Sequence, residues 1–436
     1  MLVKEKNAEN KQVCLPESSL PRVAVIGSGF AGINLIKKLK NKPVQIILID
    51  ENNYHQFQPL LYQVAIAGLE PDRVNFPIRK FFRKYKNLTY RYAKVKQVKP
   101  ENGMLITDSG TIAYDYLVIA TGTRVNYYGM EDVKRHSISL KNIQNSLNIR
   151  SIILKNLEKA AMSCDEKERE SLTNFIIVGG GPTGVELCGA LAEFKKYILE
   201  KDYPELAQHM MNIYLIEMAP RILPGMTSYA SAKAKKDLEQ LGVNVLVDAK
   251  VNSYNGEQAV INEEKVLSAN TMIWAAGVEG VIPHGFGEEC INRNNRLIVN
   301  HYNQVKNHTN IYAIGDIAAM VSDELPKGHP MIAPVAIQQG KLLGKNLLKS
   351  IRKQENFIPF EYRDKGMLAT IGKTKAVAEI GKLRMSGLMA WVLWATVHLY
   401  FLVGFRNKLM TGLTWLYHYL TYDKANRHIL KDIDEH

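Results

Sequence analysis

Between residues 22 and 50 the chain alternates two kinds of pattern. The run VAVI at 23–26 is continuously apolar and β-branched, as a strand covered on both faces requires. After Gly27-Ser28-Gly29-Phe30-Ala31-Gly32, the apolar positions Leu35, Ile36 and Leu39 recur at helical spacing. A second apolar run, VQIILID (44–50), ends on Asp50 with Glu51 beside it. The whole series then returns. FIIVGGGPTGVEL predicts a buried strand, the turn Gly179-Gly180-Gly181-Pro182-Thr183-Gly184 and a helix through Val185, Glu186 and Leu187; a strand NIYLIE follows and ends at Glu217. YDYLVIATGT (114–123) and ANTMIWAAGV (269–278) are further buried strands closing on small-residue turns, Thr121-Gly122 and Ala276-Gly277. NIYAIGDIA (310–318) predicts one strand ending at Gly315-Asp316. The stretch from Ala333 predicts a helix, with Pro334 in the first turn, where its missing N–H costs nothing. Strands alternating with helices in this way predict an α/β protein with parallel sheets.

The C-terminal pattern differs. EYRDKGMLATIGKTKAVAEI (361–380) predicts two short strands about Gly372-Lys373. GLMAWVLWATVHLYFLVGF is apolar but interrupted by Thr396 and His398, and falls short of the ~20 apolar residues of a membrane span. Three of the four tryptophans (Trp391, Trp394, Trp415) lie in this region, flanked by Arg384, Arg406 and Lys408. Aromatic rings with flanking cations predict helices lying in a lipid headgroup layer. His398 is expected to be packed or on a polar face. Residues 1–20 are polar and predict a flexible tail, without the apolar segment of a secretory signal.

A length of 436 residues with 46% hydrophobic content supports two or three domains. The formal charge of +13 asks for an anionic partner: nucleotide phosphate, nucleic acid or an acidic membrane. Charge alone does not choose among them. The four cysteines stand apart, with no CxxC and no metal-ligand spacing, which predicts a reduced compartment and no metal site.

The glycine turns carry the chemistry. Gly27 permits a tight turn, Gly29 lets backbone approach a pyrophosphate, and Gly32 lets helix and strand pack closely, with the helix N-terminus facing phosphate. Asp50 stands where a ribose hydroxyl is bonded. In the second copy Glu217 takes that place, although the connection from Gly184 is longer than the usual ~20 residues. A carboxylate there repels a 2′-phosphate and so favours NADH over NADPH. Two dinucleotide folds predict two dinucleotides: FAD, held at Gly27–Gly32, Asp50, Glu51, Thr121, Gly122, Gly315 and Asp316, and NADH, visiting Gly179, Gly181–Gly184, Glu217, Ala276 and Gly277. The helix beginning at Ala333 would turn its positive end toward the flavin ring.

These parts in this order resemble the two-dinucleotide-binding flavoprotein disulfide reductase superfamily and, within it, the type II NADH:quinone oxidoreductases. The resemblance covers most of the chain and includes NYHQFQPLLYQVAIAGLEP (53–71). The family's AQxxxQ quinone pattern is met by Ala333 and Gln338, with Pro334 in place of its first Gln and Gln339 following. The resemblance implies that Glu186 lies near the nicotinamide with a role in proton or charge transfer, and that Gln338 serves the quinone step. It further implies an NADH domain (140–285) inserted into a FAD domain (21–139 and 286–355), and a membrane-anchoring or dimerising domain (356–436). The expected protein binds FAD non-covalently and passes electrons from NADH to a membrane quinone without pumping protons. It would sit peripherally on the cytoplasmic face of the cell membrane, against anionic lipid, as a homodimer, with no nucleic acid partner. Three alternatives stay open at this point: a sulfide:quinone oxidoreductase, a rubredoxin- or ferredoxin-type NADH reductase, and a non-catalytic NADH-binding redox sensor. The chain has no CxxxxC after its first βαβ unit, and Cys164 and Cys290 stand in no flavin-flanking motif.

Overall fold

The structure is a computed structural model and describes residues 11–206, 211–421 and 427–429. Five helices matter for function, in chain order: α1 (Phe30–Leu39), α2 (Pro182–Phe194), α3 (Ala333–Ile351), α4 (Gly387–Phe401) and α5 (Phe405–Thr421). Contacts gather the described chain into two compact units. The first runs to His55 and includes Phe76–Arg124 and Val278–Asp364; the second comprises Gln56–Asn75, Val125–Gly277 and the described residues from Lys365 on.

The first unit is built on a five-stranded sheet in the order Ile311–Ala313, Tyr116–Ile119, Arg22–Ile26, Gln45–Asp50, Leu88–Tyr92. Every pairing is parallel, as continuous apolar runs predict for strands buried on both faces. α1 and α3 lie against each other on this unit at unusually close range. A Cβ on Gly340 would fall 2.3 Å from the Ala31 carbonyl oxygen, and one on Gly344 would fall 2.6 Å from Lys38 Cβ. The strand predicted in NIYAIGDIA, Ile311–Ala313, ends at Gly315-Asp316 as expected, where a 3₁₀ turn at Gly315–Ile317 separates it from a further short strand, Ala318–Met320. Gly315 adopts φ +76°, which breaks an extended run. The expected loose tail is tied down over its described part: Val13 N–H donates to Thr111 O, Arg91 bonds the Cys14 carbonyl, and Val13 and Leu15 pack on the core. Two apolar side chains in a polar stretch were enough to anchor it. Residues 1–10 lie outside the described residues.

The second unit repeats the parallel sheet in the order Ile138–Ser139, Thr271–Trp274, Phe175–Val178, Ile213–Ile216, Val243–Leu246. It also holds an antiparallel meander, Met367–Thr370, Ala376–Ile380 and Leu383–Ser386, one strand more than the sequence predicted. α4 seats Ala390 on Ala376 and Ala378 of this meander. α5 is amphipathic in an inverted sense. Asn407, Thr411 and Trp415 face inward, whereas Phe405, Leu409, Leu413, Leu416 and Leu420 are exposed along one stripe, Phe405 by 81%. Arg406 pairs with Asp72 at 2.9 Å, and Asn407 donates to the carbonyls of Asp72 and Asn75.

Candidate functional site

In both sheets the glycine turn emerges at the carboxyl ends of the strands, where open α/β sheets bind their ligands. Gly27 (φ +103°) and Gly179 (φ +111°) turn the chain through backbone conformations that other residues rarely adopt. A Cβ on Gly32 would lie 2.0 Å from Gly27 O, and one on Gly184 would lie 1.9 Å from Gly179 O, so each helix start is locked onto its own turn. Above Gly29 and Gly181, by contrast, a Cβ would meet nothing within 4 Å. These two residues are also the N-caps of α1 and α2, and neither supplies a capping side chain. The first-turn N–H groups therefore face open space with positive helix ends and no acid in the first turn, a site for phosphate oxygens in each fold.

The terminal acids close each turn. Asp50 accepts from the N–H and the hydroxyl of Ser28, both at 2.6 Å, and from Asn52 N–H at 2.7 Å. Burial raises its pKa, and these bonds oppose the rise. Glu217 accepts from Gly180 N–H at 2.6 Å and Ala219 N–H at 2.7 Å. Glu51 points outward instead and pairs with Lys94 at 3.3 Å. His55, a residue the sequence reading passed over, is buried with its pKa pushed down to about 4; its neutral ring puts Nδ1 2.9 Å from the Ser28 carbonyl, where it donates, and sits edge-on to Phe30. Thr121 donates to Val281 O at 2.6 Å and holds the Gly122 turn to the neighbouring segment. Asp316 lies in the 3₁₀ turn, with the Arg296 guanidinium acting on it. In the second unit Tyr128, itself left-handed at φ +53°, lays its phenol against Gly277, while Ala276 is half-buried and Thr183 is exposed.

Four residues were expected at a quinone. Ala333 and Pro334 are half-buried at the start of α3. The other two amides are spent on backbone. Gln338 donates to Arg363 O at 2.9 Å and accepts from Arg363 N–H at 3.1 Å. Gln339 is fully buried, accepts from Gly315 N–H at 2.7 Å, and leaves its Nε2 without a partner. That orphaned donor beside the Gly315–Asp316 turn is what a bound cofactor would satisfy, and with the open phosphate cradle at Gly29 it fits FAD.

Glu186 does not face the glycine turn. Its carboxyl points from α2 toward the C-terminal segment, where Trp394 Nε1–H donates at 3.1 Å and Thr370 N–H at 3.4 Å. Burial raises its pKa to about 8, against those two bonds, so it is protonated at neutral pH. Beside it opens a cavity of about 100 Å³ whose walls include Tyr62, Gln63, Trp391, Trp394 and Trp415. These walls are bonded to one another: Trp415 Nε1–H donates to Gln63 Oε1 at 2.7 Å, Gln63 donates to the Tyr62 hydroxyl at 3.0 Å, and Trp394 stacks on His398 at 4.2 Å. Burial lowers the pKa of His398 to about 4, which makes it a packed neutral ring. The tryptophans thus face inward, against the expectation of a headgroup belt. Trp394 is 1% exposed, and the apolar surface is left to Leu, Met, Phe and Tyr.

Cys14 and Cys164 are exposed. Cys188 and Cys290 are buried with their thiols pushed up by desolvation, and all four cysteines are unpaired.

Residues 21–340 match the family profile of the pyridine nucleotide-disulphide oxidoreductases, and residues 365–422 that of the NDH2 C-terminal domain. Type II NADH:quinone oxidoreductase NdhA of Mycobacterium tuberculosis is 33% identical over 410 residues, 90% of this chain and 86% of the relative. Ndh of the same organism is 30% identical over 92% of this chain and 88% of its own length. The solved structure of NDH2 from Plasmodium falciparum with NADH superposes with a TM-score of 0.85 at 23% identity, covering 94% of this chain and 100% of that one, and so shares the fold.

Proposed function

The chain belongs to the pyridine nucleotide-disulphide oxidoreductases and, among them, to the type II NADH:quinone oxidoreductases; from that premise we propose that the aromatic cavity beside Glu186 receives the quinone ring. The protein is a respiratory NADH dehydrogenase that binds FAD, takes NADH as substrate and reduces a quinone without pumping protons. FAD supplies the hydride acceptor and the two-electron donor. Everything else falls to the side chains and backbone of this chain.

Gly27–Gly32 and the N-terminus of α1 hold the FAD pyrophosphate, Asp50 the ribose and Asp316 the ribityl chain, with Thr121, Gly122 and Gly315 shaping the floor; Glu51 stands at the rim. Gly179, Gly181–Gly184 and the N-terminus of α2 hold NADH in the same way, with Ala276 and Gly277 as floor and Glu217 as ribose acceptor. Functionally we divide the chain into a FAD-binding part (21–139, 286–355), an NADH-binding part (140–285) and a C-terminal part (from 356). Ala333 and Pro334 stay in the proposal as quinone contacts.

One observation carries the quinone reading: a carboxyl neutral at pH 7 opens into a slot walled by indoles. Aromatic walls suit stacking on a flat ring, and Glu186 can give one of the two protons that quinol formation needs. The test is steady-state turnover of NADH with short-chain quinones, set against quinone reduction with sulfide in place of NADH and against NADH oxidation with rubredoxin or disulfides as acceptors. A faster rate with any of the latter three overturns the reading.

NADH preference rests on Glu217. Glu217→Gln is expected to raise the KM for NADH and to narrow the gap to NADPH. Equal use of both nucleotides by the unaltered enzyme contradicts the assignment.

We further propose that the exposed stripe of α5, with Leu388, Met389 and Val392 of α4, lies on the anionic cytoplasmic face of the membrane. Arg384 and Lys408 add electrostatic attraction there. No described helix is long and apolar enough to cross a membrane. Leu409, Leu413 and Leu416 are about half exposed, so changing all three to serine should spare the fold and abolish flotation with anionic vesicles. The homodimer rests on family resemblance. A triple variant that floats unchanged but loses mass in sedimentation would assign the stripe to a second copy instead.

A further inference from the structure

A second cavity lies in the first unit, on the flank of α3 away from the glycine turn. It is a built groove. The extended segment after Asn356 is clamped to α3 at two rungs. Asn346 donates to Ile358 O at 2.8 Å and accepts from Ile358 N–H at 3.0 Å; two turns earlier along α3, Gln338 does the same to Arg363. Phe360 N–H is tied in turn to His301 O. Between the rungs the segment and the helix stay apart, and the gap is floored by Leu342 and Phe360.

Its rim is cationic. Lys341 and Lys345 rise from α3 four residues apart, a like-charge spacing that by itself destabilises a helix. Lys38 joins them from α1, brought in because Gly344 carries no side chain to hold the two helices apart. Arg363 stands at the lower rung. None of these four side chains has an ion-pair partner among the described residues, and the only carboxylate at the groove is Glu361. Four cations set around one acid, on walls held rigid by paired amide clamps, leave a net positive hollow that a compact polyanion would neutralise. The apolar floor, with Ile358 44% exposed at its edge, gives the ligand a non-polar side as well.

We propose that this groove is a binding site for a phosphate-bearing ligand, distinct from both dinucleotide cradles. Phosphate is favoured over carboxylate because three separate ammonium groups and a guanidinium line one groove, more donors than a carboxylate's two oxygens can take and better matched by the three acceptor oxygens of a phosphoryl group. The source is either a free phosphate compound or the headgroup of an anionic lipid.

The test uses FAD-loaded enzyme with saturating NAD⁺, so that both dinucleotide cradles are filled. Calorimetry with pyrophosphate represents the free source; dihexanoyl phosphatidic acid below its micelle concentration represents the lipid. Lys341→Gln/Lys345→Gln, with Lys38→Gln added, should weaken binding of the preferred probe at least about tenfold, given the strength of charge-assisted bonds to phosphate. Steady-state KM for NADH should not move. Tighter binding of the phosphatidic acid, with the margin removed by Ile358→Asp, assigns the site to lipid; equal or tighter pyrophosphate binding assigns it to a soluble phosphate. Failure of the unaltered enzyme to bind either probe, or equal binding by the triple variant, overturns the proposal.

Discussion

Replacing Gly184 by alanine is expected to raise the KM for NADH roughly ten- to hundredfold, as 1–3 kcal/mol of overpacking implies. Flavin content should stay unchanged. The added methyl would fall 1.9 Å from the carbonyl oxygen of Gly179, and backbone cannot rotate away as a side-chain tip can. Relief requires the start of α2 to move off the turn, which carries its N–H groups away from where the NADH pyrophosphate must sit. The matching change Gly32→Ala, 2.0 Å from Gly27 O, should do the reverse and yield protein poor in flavin. Absorbance of bound flavin and the NADH dependence of reduction, measured on both variants, check the pair. Loss of flavin in Gly184→Ala would show that the two cradles do not act separately.

The second large effect is expected at Glu186. Glu186→Gln keeps the shape and a hydrogen-bond acceptor for Trp394 but removes the transferable proton. Quinone reduction should slow by roughly 10²- to 10⁴-fold, the usual range for a lost general acid, while reduction of the flavin by NADH stays near normal. In the unaltered enzyme the same step should weaken as pH rises through about 8, where the carboxyl ionises. Stability carries a matching signature. The folded pKa of about 8 lies above the ordinary 4.5, so the folded state keeps its proton where the unfolded chain has lost it. This contribution is fully present below about pH 4.5, declines as pH rises toward about 8 and is gone above it. Glu186→Gln should therefore flatten the melting temperature across that interval. A variant with full quinone activity, or a wild-type rate that climbs through pH 8, would remove Glu186 from proton delivery.

What could be read from the sequence was what the chemistry keeps local. A tight strand–turn–helix unit needs glycines at fixed offsets and closes on an acid at the end of the next strand, so the units Gly27–Asp50 and Gly179–Glu217 could both be read in short stretches. Glu217 stayed in register despite its long connection because the Ile213–Ile216 strand pairs directly with Phe175–Val178. The aromatic cavity was not visible, since Tyr62, Glu186, Thr370 and Trp415 are brought together only by tertiary packing. Its one trace was the crowding of tryptophans near the C-terminus, which we read as a membrane belt. The polar residues Asn407 and Thr411 settle the direction. They share the inward face of α5 with Trp415, and Asn407 bonds the Asp72 and Asn75 carbonyls, which turns the leucines outward. For the amides at 338 and 339 the sequence showed the position and not the local bonds. A helix start at a cofactor marks them by position, but Gln338 is claimed by the backbone of Arg363 and Gln339 by that of Gly315.

The grouping of indoles has a practical side. Trp391, Trp394 and Trp415 border one cavity, and the fourth, Trp274, is sealed in the core of the second unit's parallel sheet with its N–H bonded to Asn126 O. Near-ultraviolet emission from this protein is therefore mostly light from a single place. Whatever enters that hollow, whether acceptor, product or inhibitor, alters the surroundings of three emitters at once and of the fourth hardly at all. Occupancy can be followed by fluorescence in the dark-stable oxidised enzyme, without turnover, added dye or label.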